Sequence, residues 1–188
     1  MRVRRSILII ATVATSWLGM QLVHELGHVI GAYSTGGSVA RIVFHPLELS
    51  RTDLGRNPRP LVVVWAGPIA GTVLPLAAWA IAAFVRVPLC YLARFFAGFC
   101  LVANGAYIGV GAFGGVGDST AMLLHGSAVW AMVLFAAATI PLGLWLWHRQ
   151  GRHFGIGGDG REVDMVATIV ASVACAILVT LGCTLGHG

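Results

Sequence analysis

The chain has no lysine, and only 10% of its 188 residues are charged, where a soluble domain carries about 25%. So few charges cannot cover a water-facing surface, which excludes an ordinary soluble globular fold. The twelve basic residues are all arginines, placed between apolar runs. No basic helix or aromatic platform accompanies the net charge of +5, so a nucleic-acid interface is not expected. Basic loops against lipid headgroups account for the charge. Cysteine is also scarce. Cys90, Cys100, Cys175 and Cys183 form no C-x-x-C pair and fall in apolar stretches. They read as small apolar residues, not as a disulfide framework or a cysteine zinc site.

What the chain has instead is apolar length. It is 57% hydrophobic, in runs near the roughly 20 residues that cross a bilayer core of about 30 Å. The pattern predicts an all-α polytopic membrane protein forming a single membrane domain over residues 1–188. About five transmembrane helices are expected, at residues 6–33, 61–85, 88–113, 128–147 and 163–185. Between the first two, residues 34–60 are more polar. The run SVARIVF, rich in β-branched residues, predicts short strands there, as a membrane-surface β-hairpin. Pro46, Pro58 and Pro60 break any helix in that stretch. Trp145, Trp147 and His148 are expected as interface anchors.

The basic start and apolar run of MRVRRSILIIATVATSW have the form of a secretory signal, with a weak cleavage pattern around Ala14. The run passes directly into HELGH, so an uncleaved first span is the preferred reading. An N-terminus on the inner side puts eight arginines inside, at positions 2, 4, 5, 86, 94, 149, 152 and 161. Four lie outside, at 41, 51, 56 and 59. The positive-inside rule favours that orientation, in a multi-pass protein of a bacterial-type cell membrane.

His24-Glu25-Leu26-Gly27-His28 is an H-E-x-x-H motif. Four residues advance about 400° on an α-helix, which puts His24 and His28 on one face within ~6 Å. Two imidazoles so spaced can grip one Zn2+ ion, and Glu25 can serve as general base toward a water activated there. Three ionisable residues after an apolar run are a functional signal. The plainer alternative is a helix end in headgroups and water. A catalytic zinc takes a third protein ligand. Asp118, the only acidic residue between Asp53 and Asp159, follows the flexible turn FGGVG. Asp118 also suits a helix N-cap before Ser119 and Thr120, and the two roles weigh equally at this point. His125, seven residues on, shares the helical face as a secondary ligand or supporting residue, or as an interface histidine at the start of the fourth span. Asn104 is the strongly polar side chain of the third span. It is a candidate for orienting substrate or an oxyanion, or for an interhelical hydrogen bond. Gly67, Pro68 and Gly71 are assigned to helix packing.

With these residues in place, the chain resembles the site-2 protease family of intramembrane zinc metalloproteases. The resemblance is carried by VHELGHVIGAYSTGG, WAGPIAG and GVGDS and covers residues 18–124. It implies a protease-like core of about residues 6–124, with 125–188 as two additional spans. It further implies His24, His28 and Asp118 as ligands of one zinc ion, Glu25 as the catalytic base, and a membrane-protein substrate cut in or near its transmembrane segment. The hairpin stretch would present that substrate as an extended strand. Two departures stand out. The family's aspartate sits in an N-x-x-P-x-x-x-L-D-G-like run, whereas here Asn104 lies fourteen residues before Asp118 with no proline between, and Ser119 follows. The family's motif helix also runs toward the cytosol, opposite to the arginine count. A non-catalytic membrane scaffold and a small ion-binding transporter are the alternatives, and similar ligands also accept cobalt or iron.

Overall fold

The structure is a computed structural model that describes residues 2–48, 50–156 and 162–185. Arg161, counted above with the inner arginines, lies outside the described residues. The chain forms α1 (Arg2–Ser34), a hairpin of β1 (Val39–Val43) and β2 (Arg51–Leu54), α2 (Pro60–Phe84), α3 (Cys90–Gly114), a short α4 (Asp118–Leu124), α5 (Val129–Trp147), a 3₁₀ turn (Gln150–Phe154) and α6 (Met165–Leu185). Five of the helices are long and apolar enough to cross a membrane. The expected architecture is therefore the observed one: a multi-pass helical membrane protein with one antiparallel hairpin after its first helix.

The span boundaries differ from the sequence reading mainly at the first helix. It extends back through Arg4 and Arg5 to Arg2, since arginine is a good helix former and nothing in MRVRR breaks the helix. α2 opens with Pro60 in its first turn, where the missing N–H costs nothing.

Half of the apolar stretch of α3 is buried, against 22% in α5 and α6. α3 is therefore the central helix. It packs on α2 and most extensively on α5, while α1 packs on α2 and α6. The N-terminal half of α1 meets α6 and the 3₁₀ turn through Leu8, Ala11, Phe154, Ala167 and Ala171. The C-terminal half of α1 lies against α2. Large apolar side chains such as Ile10, Ile69, Val110, Trp130 and Ile177 point outward from the bundle, as lipid-facing positions require. Of the expected anchors, Trp145 is exposed, while the Trp147 indole turns inward and donates to the Phe95 carbonyl at 3.0 Å. Cys100 is buried, Cys90 and Cys175 are half-buried, and Cys183 is exposed.

The α1–α2 contact depends on the small residue inside the motif. A Cβ on Gly27 would stand 2.7 Å from the Ala70 methyl and 2.8 Å from the Gly67 Cα, and would run into the Ala66 carbonyl oxygen. Backbone cannot yield there as a flexible side chain would. Gly27→Ala should therefore destabilise the folded protein by about 1–3 kcal/mol through overpacking. The unfolding midpoint in mild detergent reads this directly, and an unchanged midpoint contradicts so tight a contact.

Candidate metal centre

His24 and His28 sit on α1, ten and six residues before its last residue, Ser34. At 1.5 Å per residue, His24 is about 15 Å inside the helix end. Both rings are buried, each residue being 7% exposed. Their planes are inclined at 73°, with centroids 4.9 Å apart, so the ring edges converge and the faces do not stack.

Asp118 reaches them from α4, and local sequence explains how. α3 ends at Gly114, and Gly117 takes a positive φ of 57°, a backbone state favourable only to glycine. A Cβ on Gly117 would also collide with the Tyr107 hydroxyl. α4 is then anchored by Met122, fully buried among Val64, Ile108, Ala112 and Met132, and by the Asp118 N–H donating to the Tyr107 hydroxyl oxygen at 2.9 Å. Asp118 is the first residue of α4, not its N-cap. The N-cap is Gly117, with no side-chain capping bond. Of the two roles open to Asp118 from sequence, the structure thus discards capping. The carboxylate turns instead to the histidines.

His24 Nε2 lies 2.8 Å from Asp118 Oδ2, His28 Nε2 lies 3.3 Å from the same oxygen, and the two Nε2 atoms are 3.1 Å apart. The far side of each ring fixes what these atoms are. His28 Nδ1 is 2.9 Å from the Val63 carbonyl oxygen, which can only accept, so His28 Nδ1 carries the proton. Asn104 donates its Nδ2 to the Cys100 carbonyl at 2.9 Å and to the Gly71 carbonyl at 3.4 Å. Its Oδ1 is thereby aimed at His24 Nδ1, 2.7 Å away, and Nδ1 donates. In the neutral rings both Nε2 atoms then carry lone pairs. Two imidazole lone pairs and a carboxylate oxygen converge on one point, an arrangement that calls for a cation.

The spacings fit one. Ligand atoms about 2.0–2.1 Å from a tetrahedral ion stand about 3.3 Å apart, close to the observed 2.8–3.3 Å triangle. His24, His28 and Asp118 could therefore hold a metal ion. The Asp118 carboxyl is held well below the usual carboxylate range: burial opposes its charge, and its contacts with His24 and His28 outweigh the burial.

Glu25 is 5% exposed and lines the same cavity, of about 680 Å³. Both of its oxygens are engaged. Oε1 accepts from Ser50 Oγ at 2.9 Å, and Oε2 accepts from Thr52 Oγ1 at 2.7 Å. The hairpin is thus seated over the motif, and the Ser50 N–H also donates to Gln21 Oε1 at 2.9 Å.

Asn104, 1% exposed, supports His24 and does not face the convergence point. His125 is the exposed C-terminal cap of α4 and lines the cavity, outside the His24–His28–Asp118 cluster. The glycines of WAGPIAG do more than pack helices. A Cβ on Gly67 would strike the His28 ring, and one on Gly71 would sit 2.9 Å from both terminal atoms of Asn104. That wall of α2 is bare where the imidazoles and the amide lie. Sequence reasoning did not find Gln21, Ser50, Thr52 or Tyr107. Gln21 alone had a signal, as a polar residue three before His24 and four before Glu25 in an apolar helix.

Replacing Asn104 by leucine keeps volume and strands the His24 Nδ1–H in a buried site. The ring is then free to turn or to exchange tautomer. Metal affinity should fall about 10–100-fold, the usual effect of losing such a supporting residue. Competition with a chromogenic chelator measures it, and an affinity equal to that of the unaltered protein would contradict this role. No protein-family model, curated protein or solved structure matches this chain.

Proposed function

We propose that the protein is an intramembrane zinc metalloprotease of the site-2 protease kind, hydrolysing peptide bonds in or near transmembrane segments of other membrane proteins. The observation that carries the reading is the convergence of His24 Nε2, His28 Nε2 and Asp118 Oδ2 beside Glu25, inside a bundle of apolar helices. Zinc suits two imidazoles and a carboxylate, a donor set of known catalytic sites.

In this reading His24, His28 and Asp118 hold the ion, while Asn104 and the Val63 carbonyl keep both imidazoles in the required tautomer and orientation. When bound, zinc supplies Lewis acidity toward water and toward the peptide carbonyl. Glu25 takes the proton of the attacking water and delivers it to the departing amine. For that transfer one Glu25 oxygen must be released from Ser50 or Thr52, so the hairpin segment shifts as substrate enters. The mostly apolar walls exclude bulk water and suit a lipid-derived segment. A single hydrolytic cut balances without further reagents: the C–N bond breaks, and water supplies hydroxyl to one product and hydrogen to the other.

The test is purified full-length protein in lipid bilayers, loaded with zinc and given a synthetic transmembrane peptide. The expected result is cleavage within the apolar segment, mapped by mass spectrometry and stopped by a chelator. Stoichiometric zinc without cleavage of a panel of such peptides would instead favour a non-catalytic scaffold, whose hairpin keeps Glu25 permanently engaged. Metal-driven ion flux without cleavage would favour a transporter.

A further inference from the structure

Gln21 is 4% exposed, and it stands on α1 one turn before the motif, lining the same cavity as Glu25. Its amide is oriented by a contact that leaves no ambiguity of atoms. The Ser50 N–H donates to one end at 2.9 Å, so that end is Oε1 and the other is Nε2. Nε2 has no partner, although it is buried. A donor left unpaired away from water costs stability, and such a group in a native protein calls for an explanation. Across the cavity wall, Asn57 just before α2 has the complementary fault: its buried Oδ1 has no donor.

We propose that Gln21 binds the main chain of the substrate, its Nε2 donating to a backbone carbonyl about two residues from the bond that is cut. The proposal rests on the protease reading above and names what the site recognises. The position follows from helix and strand dimensions. Gln21 precedes Glu25 by four residues, about 6 Å along the helix axis. An extended peptide rises about 3.3 Å per residue, so a strand lying along α1 brings its second residue from the reaction point to Gln21. The ligand class follows from the pair of orphan atoms. An acyl ester offers acceptors only, and would leave Asn57 Oδ1 unpaired. A peptide unit offers both a C=O for Gln21 and an N–H for Asn57. Recognition through the main chain also suits substrates whose side chains are uniformly apolar and carry little information.

The experiment uses hydroxamates, which chelate zinc, on the zinc-loaded full chain. The probes are acetohydroxamate, which has no peptide, and two Leu-Ala-Leu hydroxamates in which the tripeptide leaves the chelating group from its acyl or from its nitrogen side. In the unaltered protein one tripeptide probe should bind more tightly than acetohydroxamate. In Gln21→Met that gain should shrink about tenfold, the effect of one buried hydrogen bond, with acetohydroxamate affinity unchanged. Gln21→Glu keeps an oxygen for the Ser50 N–H and removes only the donor. It should lose the same gain, and it decides the matter if the methionine variant does not fold well enough to bind acetohydroxamate. Tripeptide gains equal to wild type in these variants overturn the role of Gln21. Failure of acetohydroxamate to bind the zinc-loaded unaltered protein is a different result: it overturns the metal-site reading underneath, and this proposal with it.

Discussion

Glu25→Gln should leave one metal ion bound per chain and lower peptide cleavage by about 10²–10⁴-fold in kcat, the span that positioned acid–base catalysis contributes. Glutamine has the shape of glutamate, so the helix and the seat of the hairpin persist. Its amide oxygen still accepts from one hydroxyl of the Ser50 and Thr52 pair, and the other hydroxyl can turn to accept from the amide nitrogen. The ligand atoms of His24, His28 and Asp118 do not involve Glu25. Only the ability to take and return a proton is removed. Metal analysis and a cleavage time course on the same preparation separate the two effects. Cleavage at the unaltered rate would remove Glu25 from the mechanism, and loss of the metal would mean that its charge supports the site and not the chemistry.

Much of this architecture is legible in the sequence because the bilayer imposes it. Runs of about twenty apolar residues admit few readings other than a spanning helix, and Pro46, Pro58 and Pro60 mark the non-helical stretch between the first two. His24 and His28 are legible because helix geometry fixes their relation over four residues. Asp118 is a different case. Its candidacy rested on being the lone acid after a glycine turn, and its approach to the histidines depends on Gly117 and on Met122 packing among three other helices, which no local pattern encodes.

The supporting contacts were illegible for the same reason. Asn104 stands out as polar, but its bond to His24 joins residues eighty positions apart. Ser50 and Thr52 are ordinary strand residues until the hairpin folds back over α1. The bareness of Gly67 and Gly71 reads from sequence as helix packing, whereas what it clears in space is imidazole and amide. Sequence thus supplies the groups that do chemistry, and tertiary packing supplies the second contact that fixes each of their orientations.

Asp118→Ala should abolish the stabilisation that metal confers. With excess zinc, the unaltered protein gains about 4 kcal/mol when the free ion stands at about a thousand times its dissociation constant, and its unfolding midpoint rises accordingly. The alanine variant keeps only two imidazoles, one ligand short of the three protein ligands of a catalytic zinc site. Its affinity should drop by more than the roughly 10–100-fold expected for a lost supporting residue, and zinc should leave its midpoint nearly unmoved. The variant still folds in this account, because α4 is held by the Asp118 main-chain N–H to Tyr107 and by buried Met122, neither of which the substitution touches. Removing the carboxylate also relieves a buried negative charge, so without metal the variant should be no less stable than the unaltered chain. Two unfolding curves for each protein, with zinc and with chelator, test all of this. A zinc-induced shift of equal size in both would show that the ion, if bound, is held elsewhere.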